Sequence, residues 1–400
     1  MSTKLIITFI RQKFFVQQFN IYHTMQKLTV IGIGRLGLCT ALIFEKAGFD
    51  VLGVDVDQSY VDRLNNKTFV SHEPYVMEYL MKSQNFKASN SLDEGLAFSD
   101  MIFIVVPTPN GGGQNHYDHS ILGHLLSQIN QKKIENKHLI VCCTVMPHYI
   151  DNIGKFLIKD CLNVTLNYNP EFIAQGNIIS SFENPDIVLI GQENSEIGSK
   201  LELIYNEVCK KSPYPKICRM TPLEAEITKI AINGYITCKI SYANLISDVC
   251  DRVGINKSTV LSSIGSDSRI GQKYLKPGYS YGGPCFPRDT KALRQYITSL
   301  SLEPTLVEAT EKYNELHTIY QTQQLLNENK DTYIFENVTY KENCKVPIIE
   351  ESAKLKIAKQ LALKGKIVII KDEQYILDLV KLEYGNLFVY TSSTNHPNIN

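Results

Sequence analysis

The chain has 400 residues, 44% of them hydrophobic, and its 41 Lys and Arg residues are matched by 41 Asp and Glu residues. This length exceeds what one hydrophobic core normally organises, so we expect a globular protein of two or three domains. The balanced charge argues against nucleic acid and anionic membranes as partners and favours a small molecule.

The ten cysteines are scattered and include no Cys-x-x-Cys pair. This pattern predicts no metal site, and reduced thiols are typical of a cytoplasmic protein. No stretch approaches the roughly 18 apolar residues of a membrane span. Residues 1–26 carry basic side chains without acidic partners. We interpret them as a disordered extension, or as a start codon placed too early, rather than as a transit peptide.

The segment from Lys27 to Asp57 predicts a dinucleotide-binding unit. A β-branched run precedes Gly32-x-Gly34-x-x-Gly37, an amphipathic helical pattern follows, and a second strand pattern ends at Asp55. The first glycine permits a tight turn, the second lets a pyrophosphate approach the helix N-terminus, and the third allows close helix packing. Asp55 would accept hydrogen bonds from the ribose hydroxyls and repel a 2′-phosphate, so we expect NAD rather than NADP.

Four further strand patterns follow, at residues 101–106, 138–144, 163–168 and 186–191, and helix-like segments separate them. The alternation predicts a parallel sheet covered by helices on both faces. Ligands of such sheets bind at the carboxyl ends of the strands. The loops at 107–109, 144–147 and 169–172 are therefore candidate site loops.

A helix of more than thirty residues is predicted after residue 220. Thr221, Pro222 and Glu224 form a capping box with the favoured proline, and Gly254 is suited to the position after the last helical residue. A helix this long is expected to bridge two domains and to offer a dimerisation face. Lys229 and Asn233 share one face of it, where spacing alone fits a solvated lysine as well as a site residue.

The decapeptide YGGPCFPRDT, residues 281–290, places Cys285 between a Gly-Gly pair and a proline, with Arg288 and Asp289 just beyond. Glycines let the backbone approach a ligand closely, and nearby cations favour the reactive thiolate. Cys285 is therefore a candidate nucleophile. The alternative is a structural role, because cysteines often occur as small buried hydrophobic residues.

Together these motifs resemble the UDP-glucose/GDP-mannose dehydrogenase family, and most closely its UDP-glucose 6-dehydrogenase members. The resemblance covers residues 27–371 in several ordered motifs: GIGRLG, VPTP, NPEFIAQG, AEITKIAINGYITCKISYAN, GSDSRIG and PGYSYGGPCFPRD. It implies an α/β fold with a Rossmann-like NAD domain at 27–215 and a central helical dimerisation domain at 216–325. A shortened Rossmann-like domain for the UDP-sugar is implied at 326–400.

The reaction that the resemblance implies is a two-step, four-electron oxidation of the C6 hydroxymethyl group of UDP-glucose to UDP-glucuronate. It consumes two NAD⁺ and one water and passes through a thiohemiacetal and a thioester on Cys285. The implied catalytic residues are Cys285, Lys229, Asn233, Glu171, Asp289 and Thr144. The implied cofactor-binding residues are Gly32, Ile33, Gly34, Arg35, Leu36, Gly37, Asp55, Thr108, Thr144 and Arg288. The implied substrate-binding residues are Phe172, Lys229, Asn233, Arg269, Tyr274, Lys276 and Gly282, and Arg269 would reach the substrate of the neighbouring subunit.

The chain departs from this pattern at Gln175, where many relatives carry a second glutamate, and in the short region after residue 325. That region predicts three strands and one helix, residues 350–364. Three alternatives stay open: the same chemistry on GDP-mannose, UDP-N-acetylglucosamine or UDP-N-acetylmannosamine; a relative impaired in turnover that binds nucleotide; and a one-step hydroxyacid dehydrogenase, which has no use for Cys285.

Overall fold

The computed structural model describes residues 26–112, 116–210, 212, 216–342, 344 and 346–393. The predicted extension at residues 1–26 lies outside this part of the chain except for its last residue. The chain divides into two compact units. The first comprises Met1–Asn110 and Tyr117–Lys229, and the second comprises Gly111–His116 and Ile230–Asn400.

The first unit contains an eight-stranded sheet in the order β3-β2-β1-β4-β5-β6-β7-β8. Its strands are β1 Lys27–Ile31, β2 Asp50–Val54, β3 Phe86–Ser89, β4 Met101–Ile104, β5 His138–Val141, β6 Thr165–Tyr168, β7 Ile187–Gly191 and β8 Lys216–Met220. The sequence patterns predicted six of them and missed β3 and β8, whose residues are mixed in polarity.

The expectation of a wholly parallel sheet is wrong at one junction. β6 and β7 pair antiparallel through Tyr168 and Gly191, while β7 and β8 pair parallel with each other. A continuously apolar strand such as β7 fits a buried position in either direction. Its sequence therefore carries no information about the direction of pairing.

Helices cover the sheet of the first unit on both faces, as predicted. They are α1 Arg35–Lys46, α2 Gln58–Asn65, α3 Val76–Lys82, α4 Leu92–Phe98, α5 Ser120–Gln131, α6 Lys155–Leu157, α7 Ile178–Glu183 and α8 Ser195–Val208, and a π-helical turn at Tyr149–Gly154 precedes α6. Alternating residues of a strand pack into two separate hydrophobic cores, one on each face of the sheet. Met101 and Phe103 of β4 pack into one core, and Ile102 and Ile104 pack into the other.

The long helix α9 runs from Pro222 to Val253, as predicted. At its start the Thr221 main-chain N–H donates to Glu224 Oε2 at 2.8 Å, and the Glu224 N–H donates to Thr221 Oγ1 at 3.4 Å, which confirms the capping box. At its end Gly254 has φ +73°, and the Ile255 N–H donates to the carbonyl of Cys250 at 3.0 Å. This is a Schellman motif, which explains the glycine.

The second unit contains the rest of α9 and five more helices and a three-stranded parallel sheet among its described residues, in the strand order β11-β10-β9. These elements are α10 Lys257–Gly265, α11 Phe286–Ser299, α12 Thr305–Asn327, β9 Thr332–Glu336, α13 Ala353–Leu363, β10 Ile367–Asp372, α14 Gln374–Tyr384 and β11 Val389–Ser392. The prediction of a single helix beyond residue 325 is wrong, because α14 follows β10. Ile376, Leu377 and Val380 of α14 pack into the same core as α13.

Candidate active site

The glycine-rich turn after β1 is shaped differently at each of its three glycines. A Cβ on Gly32, where φ is +85°, would lie 2.8 Å from the Val105 carbonyl oxygen, and one on Gly37 would lie 2.0 Å from the Gly32 carbonyl oxygen. A Cβ on Gly34 would meet nothing within 4 Å. The first and third glycines thus serve internal packing, while the second leaves open space before the N-terminus of α1. That space fits a dinucleotide pyrophosphate.

The other residues of the turn differ in how far their side chains are exposed to solvent. Ile33 is fully buried, and its carbonyl accepts a 2.8 Å hydrogen bond from Tyr60, so Ile33 can meet a cofactor only through its main chain. Leu36 packs partly against the core. Arg35 is exposed, and Asp55 lies partly exposed just beyond the carboxyl end of β2. Asp55 is therefore at the position where a ribose-binding carboxylate is expected.

Two contacts join the loops at this edge of the sheet. Arg35 Nη1 donates to Gln175 Oε1 at 2.7 Å, which links the glycine-rich turn to the loop after β6. Thr108 Oγ1 donates to the Thr144 carbonyl at 2.9 Å, which links the loops after β4 and β5. Three predicted residues, Arg35, Thr108 and Thr144, thus take part in two direct hydrogen bonds, and Gln175 is the fourth partner.

Glu171 and Lys229 lie together in the first unit. Lys229 is 6% exposed, its Nζ donates to the main-chain carbonyl of Glu171 at 2.5 Å, and it lies 4.4 Å from the ring centroid of Phe172. Burial raises the pKa of Glu171 to about 8, against the opposing effects of the Lys229 ammonium and of the Tyr205 hydroxyl, which donates to Oε1 at 3.3 Å. A carboxyl that titrates near neutral pH is suited to general-base work.

Two buried glutamates that the sequence reading did not single out hold the neighbouring loops. Glu73, 4% exposed, accepts the N–H groups of Gly176 and Ile178, each at 2.8 Å. Glu226, fully buried on α9, accepts the N–H groups of His148 and Ile150 at 2.7 and 2.8 Å.

Each of these two carboxylates thus binds two main-chain donors at the start of a helical turn, where negative charge is favoured. Burial raises the pKa of Glu226 to about 7. Glu226 could have been found from its position one turn before Lys229 on the same helix. Glu73 lies in a short polar segment without a periodic pattern, so the sequence does not point to it.

In the second unit, Cys285 is exposed and sits at the N-cap of α11. Its carbonyl accepts the N–H of Asp289 at 2.8 Å. The Asp289 side chain is 1% exposed, accepts a 2.6 Å hydrogen bond from Asn233 Nδ2, and lies 3.2 Å from Arg288 Nε. The structure therefore brings four of the predicted residues into one cluster at the start of α11.

The other predicted residues of the second unit are more separate. Arg269 is highly exposed and pairs with Asp267 at 2.6 Å, while Tyr274 and Lys276 are exposed. A Cβ on Gly282 would lie 2.1 Å from the Glu351 carbonyl oxygen. The space beside that glycine is thus filled by the chain's own backbone rather than left open for a substrate.

Gly283 shows the same kind of packing. A Cβ there, at φ +80°, would lie 2.3 Å from the Tyr340 ring.

Within the residues that the structure describes, no group of three or more His, Cys, Asp or Glu side chains is placed to hold a metal ion. No helix in this part of the chain is long and apolar enough to cross a membrane.

Comparison with known proteins identifies the family. Residues 26–209 match the NAD-binding domain of the UDP-glucose/GDP-mannose dehydrogenase family, and residues 223–316 match its central domain. UDP-glucose 6-dehydrogenase AglM of Haloferax volcanii is 31% identical over 306 residues, which cover 72% of this chain and 69% of that protein. UDP-glucose 6-dehydrogenase TuaD of Bacillus subtilis is 31% identical over 310 residues, covering 76% and 66%.

Solved structures agree in fold. The UDP-glucose dehydrogenase of Pyrobaculum islandicum superposes with a TM-score of 0.83 at 27% identity, covering 92% of this chain and 86% of that chain. The UDP-N-acetyl-mannosamine dehydrogenase Cap5O of Staphylococcus aureus superposes with a TM-score of 0.69 at 26% identity, covering 86% and 82%.

The fold and the glycine-rich turn define an NAD-dependent oxidoreductase. The chain belongs to the UDP-glucose/GDP-mannose dehydrogenase family, and thus to the nucleotide-sugar dehydrogenases. Its alignments span about two thirds of the length of these curated relatives, 69% of one and 66% of the other.

Proposed function

We propose that this protein oxidises the C6 hydroxymethyl group of UDP-glucose to the carboxylate of UDP-glucuronate in two NAD-dependent steps. The observation that carries the proposal is the cluster at the start of α11, where Cys285 is exposed beside the buried Asn233–Asp289 pair. The 31% identity to two UDP-glucose 6-dehydrogenases supports the choice of sugar.

The open space at Gly34 and the carboxylate of Asp55 fit NAD. When bound, NAD⁺ supplies an acceptor for the hydride that leaves C6 in each oxidation. Among the chain's own groups, Asp55 binds the ribose hydroxyls and the turn N–H groups bind the pyrophosphate. Arg35, Thr108, Thr144 and Arg288 are the other side chains proposed to bind the cofactor.

Cys285 gives the intermediate aldehyde a tetrahedral carbon. The Sγ thiolate adds to the carbonyl carbon and the oxygen takes up the negative charge, which makes a thiohemiacetal. Loss of hydride from that carbon then leaves a thioester on Sγ. The ammonium of Lys229 and the amide of Asn233, one turn apart on α9, stabilise the oxyanion by hydrogen bonding.

Release of the product is hydrolysis of the thioester. Water attacks the acyl carbon, the C–S bond breaks, and the thiolate of Cys285 is regenerated with a free carboxylic acid. Glu171 takes the proton of the attacking water, because burial poises its pKa at about 8. Thr144 and Asp289 orient the water and the lysine.

The test is the number of NADH molecules formed per molecule of nucleotide sugar. Two per UDP-glucose, with UDP-glucuronate as product, are expected, whereas one would indicate a single-step dehydrogenase. Cys285→Ser is expected to bind NAD with the wild-type Kd and to form no acid. Full acid formation by that variant would contradict the covalent role.

A panel of sugars tests the choice of substrate. The 26% identity to a UDP-N-acetyl-mannosamine dehydrogenase favours that sugar as the second candidate, and GDP-mannose and UDP-N-acetylglucosamine complete the panel. A higher kcat/KM for any of them would replace UDP-glucose. No turnover with any sugar would indicate a relative impaired in turnover, for which Gln175 is the candidate cause.

We also propose a cytoplasmic homodimer that forms through α9. Tyr235, Tyr242, Val249 and Val253 are 68%, 49%, 50% and 63% exposed and recur at intervals of seven and four residues along this helix. An exposed apolar stripe of this kind is typical of a helix–helix interface. In the dimer Arg269 would reach the partner's substrate, while Phe172, Tyr274, Lys276 and the main chain of Gly282 would complete the sugar site.

Light scattering after size exclusion, for the wild type and Val249→Glu, tests the dimer.

We propose domain limits of 27–215 for NAD, 216–325 for the central domain and 326–400 for the UDP-sugar.

A further inference from the structure

Helix α12 buries a polar face. Its buried residues are Thr310, Asn314, His317, Thr318 and Thr322. Burying polar side chains costs free energy unless each is hydrogen-bonded, so this face is expected to have specific partners. Its partners are in the segment of residues 278–281, which leads directly to Cys285.

Successive residues of that segment are bonded to α12. Asn314 Oδ1 accepts the Tyr281 N–H at 2.8 Å, and Asn314 Nδ2 donates to the Tyr281 carbonyl at 3.0 Å. Ser280 Oγ donates to the Asn314 carbonyl at 2.7 Å and lies 2.8 Å from Thr318 Oγ1. The asparagine thus replaces the main-chain pairing that a neighbouring strand would provide.

His317 extends the same set of contacts to Gly278. It is 2% exposed, its Nε2 lies 2.9 Å from the Gly278 carbonyl, and its Nδ1 lies 2.9 Å from Asp248 Oδ2. A carbonyl oxygen only accepts hydrogen bonds, so Nε2 must carry a proton. The contact between Nδ1 and the Asp248 carboxyl requires a second proton, which makes the imidazole and the carboxyl a protonated pair.

We propose that the buried polar face of α12 is a positioning element for Cys285, and that His317 completes it by holding a proton between Asp248 and the Gly278 carbonyl. The inference rests on the proposed function only in that Cys285 is the catalytic thiol. The hydrogen bond from Nε2 to the Gly278 carbonyl holds the segment that precedes Cys285.

Two further side chains share the acceptors of His317. The Tyr313 hydroxyl of α12 donates to the same Oδ2 of Asp248 at 2.7 Å. Burial raises the pKa of Tyr313 above its usual range, so that hydroxyl stays neutral. Gln321 donates its amide to the Gly278 carbonyl at 3.1 Å and carries no charge.

The test is amide hydrogen exchange of the peptide 276–286 in the full chain, followed by mass spectrometry and corrected for intrinsic exchange rates. His317→Leu removes both donors and is expected to speed exchange about tenfold, the effect of one lost buried hydrogen bond. His317→Gln keeps an amide donor for Gly278 but cannot be charged. It is expected to restore most of the protection.

A comparison of turnover with cofactor binding separates positioning from simple stability. Where turnover is measurable, His317→Leu should lower kcat about tenfold or more with NAD binding unchanged.

Gln323→Ala is the control, because this exposed residue of α12 donates to Asn327 Oδ1 at 2.9 Å and should behave as wild type. Equal exchange in the wild type and His317→Leu, or no recovery of protection in His317→Gln, would overturn the inference. Absence of turnover with every sugar would count against the proposed function and leave the exchange result to decide this inference.

Discussion

Asn233 donates a 2.6 Å hydrogen bond to the carboxylate of Asp289, which is 1% exposed and lies four residues after Cys285. An amide and a carboxylate are complementary here, whereas two carboxylates at this distance could not both ionise. The pair therefore ties α9 to the start of α11 through a polar contact that tolerates few substitutions.

Exchanging the two side chains tests this contact. Asn233→Asp places two carboxyls together, and we expect it to lower the free energy of unfolding by about 3 kcal/mol at pH 8, as for a broken buried pair. The double variant Asn233→Asp with Asp289→Asn restores an amide beside a carboxylate and should recover more than half of the loss. Urea unfolding measures both, and a strictly additive double variant would show that the contact carries no coupling energy.

The glycine-rich turn predicts opposite outcomes at two of its glycines. Gly34→Ala should fold normally, because its Cβ meets nothing within 4 Å, but it should weaken NAD binding by occupying the open space. Gly37→Ala should destabilise the first unit, because its Cβ would lie 2.0 Å from the Gly32 carbonyl oxygen. Thermal unfolding and NADH fluorescence titration separate the two effects. Unchanged NAD affinity in Gly34→Ala would argue against pyrophosphate binding at this position.

Glu171 predicts a pH effect on stability whose sign follows from its raised pKa of about 8. A carboxyl with a pKa raised in the folded state stabilises the fold while protonated, and that contribution is lost as pH rises through the folded pKa. Wild-type stability should therefore fall between about pH 4.5 and 8, and level off above that, by up to a few kcal/mol more than that of Glu171→Gln.

Tyr205→Phe removes a hydroxyl that lowers this pKa and should move the transition to higher pH. Chemical unfolding at a series of pH values is the measurement. The log of kcat/KM should rise over the same pH range if Glu171 acts as the base. Identical pH profiles for the wild type and Glu171→Gln would contradict the assignment.

We predict that Glu73, which lies outside the proposed catalytic set, controls the position of the loop that carries Glu171. Glu73→Gln replaces one of two acceptor oxygens with a donor that faces a main-chain N–H, which should cost about 1–3 kcal/mol of unfolding free energy. Because the loop after β6 is held less firmly, kcat should fall while the Kd for NAD changes little.

Glu78→Gln is the matched control for this prediction. Glu78 is an exposed glutamate that pairs with Lys82 at 2.7 Å, so its loss should leave the free energy of unfolding nearly unchanged. Equal effects of the two substitutions would show that Glu73 has no special role.

The local patterns of the sequence predicted the elements whose causes are local. The glycine-rich turn, the capping box at Thr221 and the glycine at the end of α9 each depend on conformations and hydrogen bonds within a few residues. These features can therefore be predicted from the local amino-acid sequence. The missed helix α14 and the missed strand β3 have weaker patterns, and packing against neighbouring elements stabilises them.

Order and spacing of residues along the chain determined the family, the NAD site and the candidate residues for catalysis. Only the tertiary structure decided the antiparallel step between β6 and β7, the burial that poises Glu171, and the carboxylates of Glu73 and Glu226 that hold loops far away in sequence. It also showed that backbone fills the space beside Gly282. Burial and long-range hydrogen bonds depend on which surfaces come into contact after folding. A local pattern of residue types does not specify contacts between residues that are far apart in sequence.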